Sequence, residues 1–221
     1  MIANYIGQCN KKRVPRVVHT AVTLALLSGV FLLVLGQFVA HPILVLMGAP
    51  KNIIHLATLY LRIYFLGMPF FMLYDFGASI LRSIGDTRRP MYALIVSGVV
   101  NVILNLLFVV VFRMGVAGAG LATVGANAVS AAQIIYFLMH EELPIRLSFQ
   151  SLMIDRDAVS KILRIGVPAG LQGMVFSLAN VCIQSGINSF GSAGIAGSAV
   201  ELNYEYFAYY LVNAFAQTVV T

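Results

Sequence analysis

The sequence predicts an all-α fold, a polytopic bundle of transmembrane helices, and three observations predict it. Of 221 residues, 60% are hydrophobic and only 10% are charged, against roughly 25% charged in an ordinary soluble domain. The mean hydropathy is +0.89. The apolar residues gather in six long runs, and the basic residues gather in the connectors between them. A chain this short needs a polar surface in water, and lipid removes that need.

A helix crosses a hydrocarbon core of roughly 30 Å with about 20 apolar residues rising 1.5 Å each. The first run, Thr20 to Ala40, carries no charge. The second, Ile53 to Leu81, contains Arg62 and Asp75 and has Pro69 near its middle. Met91 to Phe112 and Gly115 to Met139 are uncharged, the latter rich in Gly and Ala. The fifth run extends from Ile165 to Phe190, and the sixth from Ile195 to Thr221 with Glu201 and Glu205 inside it. A membrane barrel would show alternating segments of about 10 residues. The uncharged runs are twice that long and do not alternate, so helices are expected.

Charge orients the bundle. Lys11, Lys12, Arg13 and Arg16 precede the first run. Arg82, Arg88 and Arg89 follow the second, and Arg146, Arg156, Lys161 and Arg164 follow the fourth. That side holds eleven basic residues, and the opposite side holds two, Lys51 and Arg113. Short cytoplasmic loops carry such an excess, so connectors 10–16, 82–90 and 140–164 are expected in the cytoplasm and the chain in the inner (plasma) membrane. This topology accounts for the net charge of +6 better than a nucleic-acid partner does. In the longest connector, Asp155 or Ser151 can cap a short helix. Ile154, Ala158, Ile162 and Ile165 would share one of its faces, giving an amphipathic helix that lies on the inner membrane surface and feeds into the fifth run. Met1 to Gly7 reads as the tail of an earlier helix, and Thr221 stops inside an apolar run, so a fragment of a longer protein is expected.

Chemistry in a membrane starts with ionisable groups, because a charge in hydrocarbon usually faces a cavity or a partner. Asp75, Glu201 and Glu205 are the candidates. Glu201 and Glu205 lie one turn apart and share a face. A close carboxylate pair can share a proton and so exchange a cation for it. Two polar rows follow, Ser97–Asn101–Asn105 and Asn180–Gln184–Asn188. They suit either interhelical hydrogen bonding or the lining of a watery path. Tyr204, Tyr206, Phe207, Tyr209 and Tyr210 surround the glutamates. They suit interfacial anchoring or a surface for a hydrophobic cation. Cys9 and Cys182 have no metal spacing and read as free thiols. No HxxxH pair joins His19, His41, His55 and His140. GxSxG, HExxH, P-loop and CxxC motifs are absent from the sequence, so neither an enzyme nor ATP-driven transport is expected, nor any bound cofactor.

The turn ILRSIGDTRRPMYALIVSGVVNVILNLLFV (Ile80 to Val109) resembles the hallmark of the multidrug and toxic compound extrusion (MATE) transporters. The stretches YLRIYFLGMPF, GVAGAGLATV, IGVPAGLQGMVFSLANVCIQSGINSFG and AGSAVELNYEYFAYYLVNAFAQTVVT are also similar to that family. The resemblance implies part of a two-lobe, twelve-helix transporter around a central cavity. Residues 1–139 would be the remainder of the N-terminal lobe, with the end of helix two and helices three to six. Residues 140–164 would be the cytoplasmic linker with its amphipathic helix, and 165–221 the start of the C-terminal lobe, with helices seven and eight. The other helices of the full-length chain and the lipid bilayer would be its partners.

The implied activity is antiport: export of drugs or other small hydrophobic or cationic compounds in exchange for sodium or protons. A lipid-linked precursor flippase of similar lobes, or a non-transporting scaffold, is the alternative. Glu205 matches a glutamate often seen in the family's eighth helix, whereas Asp75 stands where many members have Asn and Glu201 where many have a small residue. Some members carry a glutamate in helix seven at the position of Phe176, and that coupling group is not carried over. The expected binding residues are Glu205, Glu201, Asp75, Asn180, Gln184, Tyr204, Asn101 and Asn105.

Overall fold

The glycines of this chain decide where its helices can touch. A computed structural model describes residues 2, 5, 13–50, 52–141, 145–148 and 153–220, except for the side chains of 192, 193, 214 and 216–220. All regular structure among them is helical: α1 (Val14–Leu46), α2 (Ile54–Leu66), α3 (Met68–Ser83), α4 (Arg88–Asn105, continued by a π-helical stretch Leu106–Val111), α5 (Gly115–Met139), α6 (Arg156–Asn188) and α7 (Gly191–Val220). The tail read at Met1 to Gly7, the thiol Cys9 and the alternative cap Ser151 lie outside the described residues or nearly so.

The second apolar run is a broken span. It bends by 45° between α2 and α3 at Gly67, where Pro69 enters α3 near its first turn and brings no backbone N–H. The bend fits into notches. A Cβ on Gly29 of α1 would stand 2.5 Å from Pro69 Cα, and one on Gly36 would stand 2.0 Å from the Phe65 ring. From the other side, Gly120 of α5 meets Ile63, and Gly77 of α3 meets Ile134. Without a hydrophobic drive between helices in lipid, close backbone approach of this kind is what holds them. α5 thus packs on α2, α3 and α4, while α1 covers the opposite side of the bent pair.

Buried side chains concentrate at the end of the bundle that carries the basic connectors. Val14, Val18, Tyr74, Ile80, Leu81, Ile134 and Leu138 meet there with Leu147 of the long connector. Elsewhere large apolar groups such as Phe31 and Phe38 stay exposed, as a lipid-facing surface allows.

The hallmark turn works as its residues suggest. Gly85, at φ +87°, takes the left-handed conformation, and the Gly85 and Asp86 amides donate to the Arg82 and Leu81 carbonyls at 3.0 and 3.1 Å. This closes α3 with a Schellman motif. Asp86 Oδ1 then accepts from the Arg88 and Arg89 amides at 3.0 and 3.1 Å, so Asp86, and not Thr87, caps α4. Arg89 pairs with both Asp86 and Glu141, the latter just past α5.

The long connector is fastened to α1. Buried His19 holds the Pro15 carbonyl with Nδ1 and accepts the Ser148 amide on Nε2, at 2.7 and 3.0 Å. Buried Thr20 donates to the Met153 carbonyl and accepts the Asp155 amide, at 3.3 and 3.1 Å. These bonds make His19 a structural tie between α1 and the connector. Asp155 caps α6 through the Ala158 amide at 3.0 Å. The helix it starts is not a separate amphipathic one. It runs unbroken from Arg156 through Pro168 to Asn188, so the expected surface helix and the fifth span are one element.

By length and composition α1, α4 with its π-helical extension, α5 and α6 can each cross a membrane, and α2 with α3 forms one more, broken span. α7 has the length, at 30 residues, but is more polar than the rest because Glu201, Asn203, Glu205 and four tyrosines interrupt its apolar surface.

Two outcomes follow. Gly29→Leu in the full-length protein should force α1 off Pro69 and destabilise by about 1–3 kcal/mol, read as a lower unfolding temperature in detergent. Gly29→Ala should fall between it and the parent, and equal stability of all three would refute the notch. Second, burial raises the Asp86 carboxyl pKa, but the Arg89 amide and guanidinium outweigh it and leave the pKa below its usual value. A depressed carboxyl stabilises above the ordinary value of about 3.9 and loses that contribution as pH falls through the lowered one. The stability gap between parent and Asp86→Asn should therefore be full near neutral pH and close below about pH 4; a gap unchanged in acid would exclude the charged cap.

Candidate functional site

α6 and α7 form a hairpin that leaves few of its own side chains buried. Ser189 and Phe190 make the turn, and Gly191, at φ +78°, starts α7. The two helices enclose, with the end of α1, a cavity of about 390 Å³. α6 lines it with Phe176, Asn180, Val181, Ile183, Gln184 and Ile187, at spacings that put them on one helical face. α7 contributes Ser198, Leu202, Glu205, Tyr206 and Tyr209 in the same way, and Met47 comes from the end of α1.

This arrangement brings together three of the residues expected from sequence. Glu205 supplies the acidic group of the lining, and Asn180 and Gln184 supply amides. Gln184 Nε2 donates to Asn188 Oδ1 at 3.1 Å, and Asn188 Nδ2 to the Met47 carbonyl at 2.8 Å. Tyr206 stacks on Tyr210 with centroids 6.2 Å apart. The site is an apolar pocket with a carboxylate, two amides and two phenols, a composition suited to small ligands.

The other expected residues lie elsewhere. Glu201 and Tyr204 are exposed and do not line the cavity. One turn from Glu205, Glu201 falls at the edge of the lining face, because Leu202 and Ser198 set that face's centre. Asn101 and Asn105 line a separate open groove on α4 with Val102 and Leu106. Asn105 Nδ2 donates to both the backbone and the side-chain oxygen of Asn101, each at 3.0 Å, so this pair bonds within its own helix. Only Ser97 of that row reaches a neighbour, the Ala126 carbonyl of α5 at 2.8 Å. Asp75 stands on an exposed face of α3, away from the cavity.

Nothing in the sequence marks Met47, Leu202 or Ile187 as lining, because apolar residues inside apolar helices do not stand out. Phe176 is different. At the position where some MATE members carry a glutamate, its ring lines the same cavity as Glu205. Among the described residues no three His, Cys, Asp or Glu side chains gather as a metal cluster would require, and Cys182 is an exposed free thiol.

A helical bundle with broken and glycine-notched spans and a mixed polar cavity defines a polytopic α-helical membrane protein with a small-ligand pocket. The MatE family profile matches residues 1–107. The probable multidrug resistance protein YoeA of Bacillus subtilis is 34% identical over 207 residues, covering 90% of this chain and 45% of that protein. Among solved structures, a multidrug resistance MATE family transporter in an inward-facing conformation superposes with a TM-score of 0.79 at 26% identity, over 87% of this chain and 44% of that one. An outward-facing conformation gives 0.72 at 27% identity, over 80% and 40%. The chain belongs to the MATE family and carries part of its two-lobe, twelve-helix architecture. It spans about half the length of the curated relatives it matches.

Proposed function

We propose that this chain forms part of a secondary active antiporter that exports small hydrophobic or cationic compounds in exchange for sodium or protons. One observation carries the reading: Glu205 faces an aromatic and apolar cavity together with Asn180 and Gln184. A carboxylate there favours cations, tyrosine faces favour hydrophobic ones, and the amides accept either a ligand or a hydrated ion. The YoeA relative is named a probable multidrug resistance protein, and staphylococcal relatives are named multidrug export proteins, in keeping with drugs as the cargo.

Coupling follows from competition. Sodium or a proton neutralises Glu205, and a cationic compound needs it charged, so the two bind in turn. Phe176 stands where some members carry a glutamate, so in this reading the exchange falls on Glu205 or on the family's first helix. Connectors 10–16, 82–90 and 140–164 face the cytoplasm of the inner membrane in this reading, and the lobes rock around the cavity. Lipid-linked precursors, the cargo of a flippase, would call for basic residues in the cavity, whereas the described lining offers the Glu205 carboxylate.

Ethidium efflux from energised, drug-sensitive cells expressing the complete protein, with sodium present or replaced, tests the reading. Glu205→Gln should lower gradient-driven efflux by about tenfold or more, as removing a functional membrane carboxylate does, while membrane abundance holds. Unchanged efflux with unchanged ion dependence would refute the role of Glu205. No efflux by the intact protein would refute drug antiport.

A further inference from the structure

At the end of the cavity opposite the basic connectors, α6 is tied to the end of α1 by a residue that does not line the cavity. Asn188, in the last turn of α6, stands behind Gln184 and Met47, and its amide joins them. Met47 follows the last residue of α1, where helix carbonyls have no intrahelical partner. That carbonyl can only accept, so the NH2 of Asn188 must face it. Asn188 Oδ1 then points towards Gln184, which must present its own NH2. The orientation of both amides is therefore fixed by one backbone oxygen.

The chain of bonds runs from the cavity wall to another helix. Gln184 belongs to the lining, Asn188 to the seal, and Met47 to α1. α1 and α6 lie in different lobes of the family architecture, so a rocking motion that opens this end must part Asn188 from Met47.

We propose that Asn188 is a latch residue: its amide holds the cavity shut on the side opposite the basic connectors, and Gln184 links the latch to what occupies the cavity. A ligand or cation that engages the Gln184 amide withdraws it from Asn188 Oδ1 and loosens the hold on Met47. Asn188 acts through position, not by touching the cargo. The proposal rests on the transporter reading for its purpose, but not for its test.

The test uses the complete protein with all its cysteines, Cys9 and Cys182 among them, replaced by Ser and a single reporter, Ser198→Cys, in the cavity wall. Labelling by a membrane-impermeant maleimide applied outside intact cells reads how often that end is open. Asn188→Ala, and Asn188→Leu of similar size, should both raise the labelling rate by about two- to tenfold, the factor that one hydrogen bond of ordinary net strength sets. Gln184→Leu should give a smaller rise. Asn188→Leu labelled as slowly as the reporter parent would overturn the latch, because it keeps the packing and removes only the bond. Unfolding temperatures of the variants identify one that opens merely by unfolding, and the Leu variant then decides. Ethidium efflux by the unmutated protein is scored separately, so a protein without efflux but with faster labelling in the variants keeps the latch and loses the antiport reading.

Discussion

The structure hangs on how closely α1 can approach its neighbours. Gly29 and Gly36 let the bent α2–α3 pair lie against it, with Pro69 and Phe65 in positions that any side chain on α1 would occupy. That contact fixes the bend, and the bend presents α3 to α5. The same helix then carries the long connector on His19 and Thr20. At its far end it carries α6 through the Met47 carbonyl. Lipid cannot reward helix association as water does, so small residues and hydrogen bonds supply what packing area alone does not.

Much of this was legible in the sequence, for physical reasons. Run length in a hydrocarbon slab is set by the rise of a helix, so Gly115 to Met139 was found with its ends correct. The turn at Gly85 and Asp86 is local chemistry, a left-handed glycine followed by a capping carboxylate. The π-helical stretch after Asn105, and the lack of any break between the linker helix and the fifth run, were not found. Both depend on contacts between residues far apart, such as Thr20 with Asp155, that no window of sequence contains. The cavity was half legible. Polar atoms inside apolar helices stand out, so Asn180, Gln184 and Glu205 were found. Which face each residue takes depends on the rotation of its helix, and that separated Glu201 and Tyr204 from Glu205 although all three are close in sequence. The Asn101 pair shows the same limit, since a row of amides on one helix can satisfy itself.

The cavity gains its character from what one wall lacks. A ring at Phe176 and a carboxylate at Glu205 make opposite walls of unlike polarity. Among the described residues, the carboxylate of the lining comes from α7 and both amides come from α6.

The two ends of α6 are held unequally. At the connector end, Thr20 and His19 of α1 engage three backbone groups, those of Met153, Ser148 and Asp155, and Ala158 is buried there. At the other end, among the described residues, the Asn188 amide reaches Met47. Each bond contributes on the order of 1 kcal/mol net, so parting the ends costs more at the connector side. The lightly held end of α6 is therefore the one at the far side of the cavity that Glu205 lines.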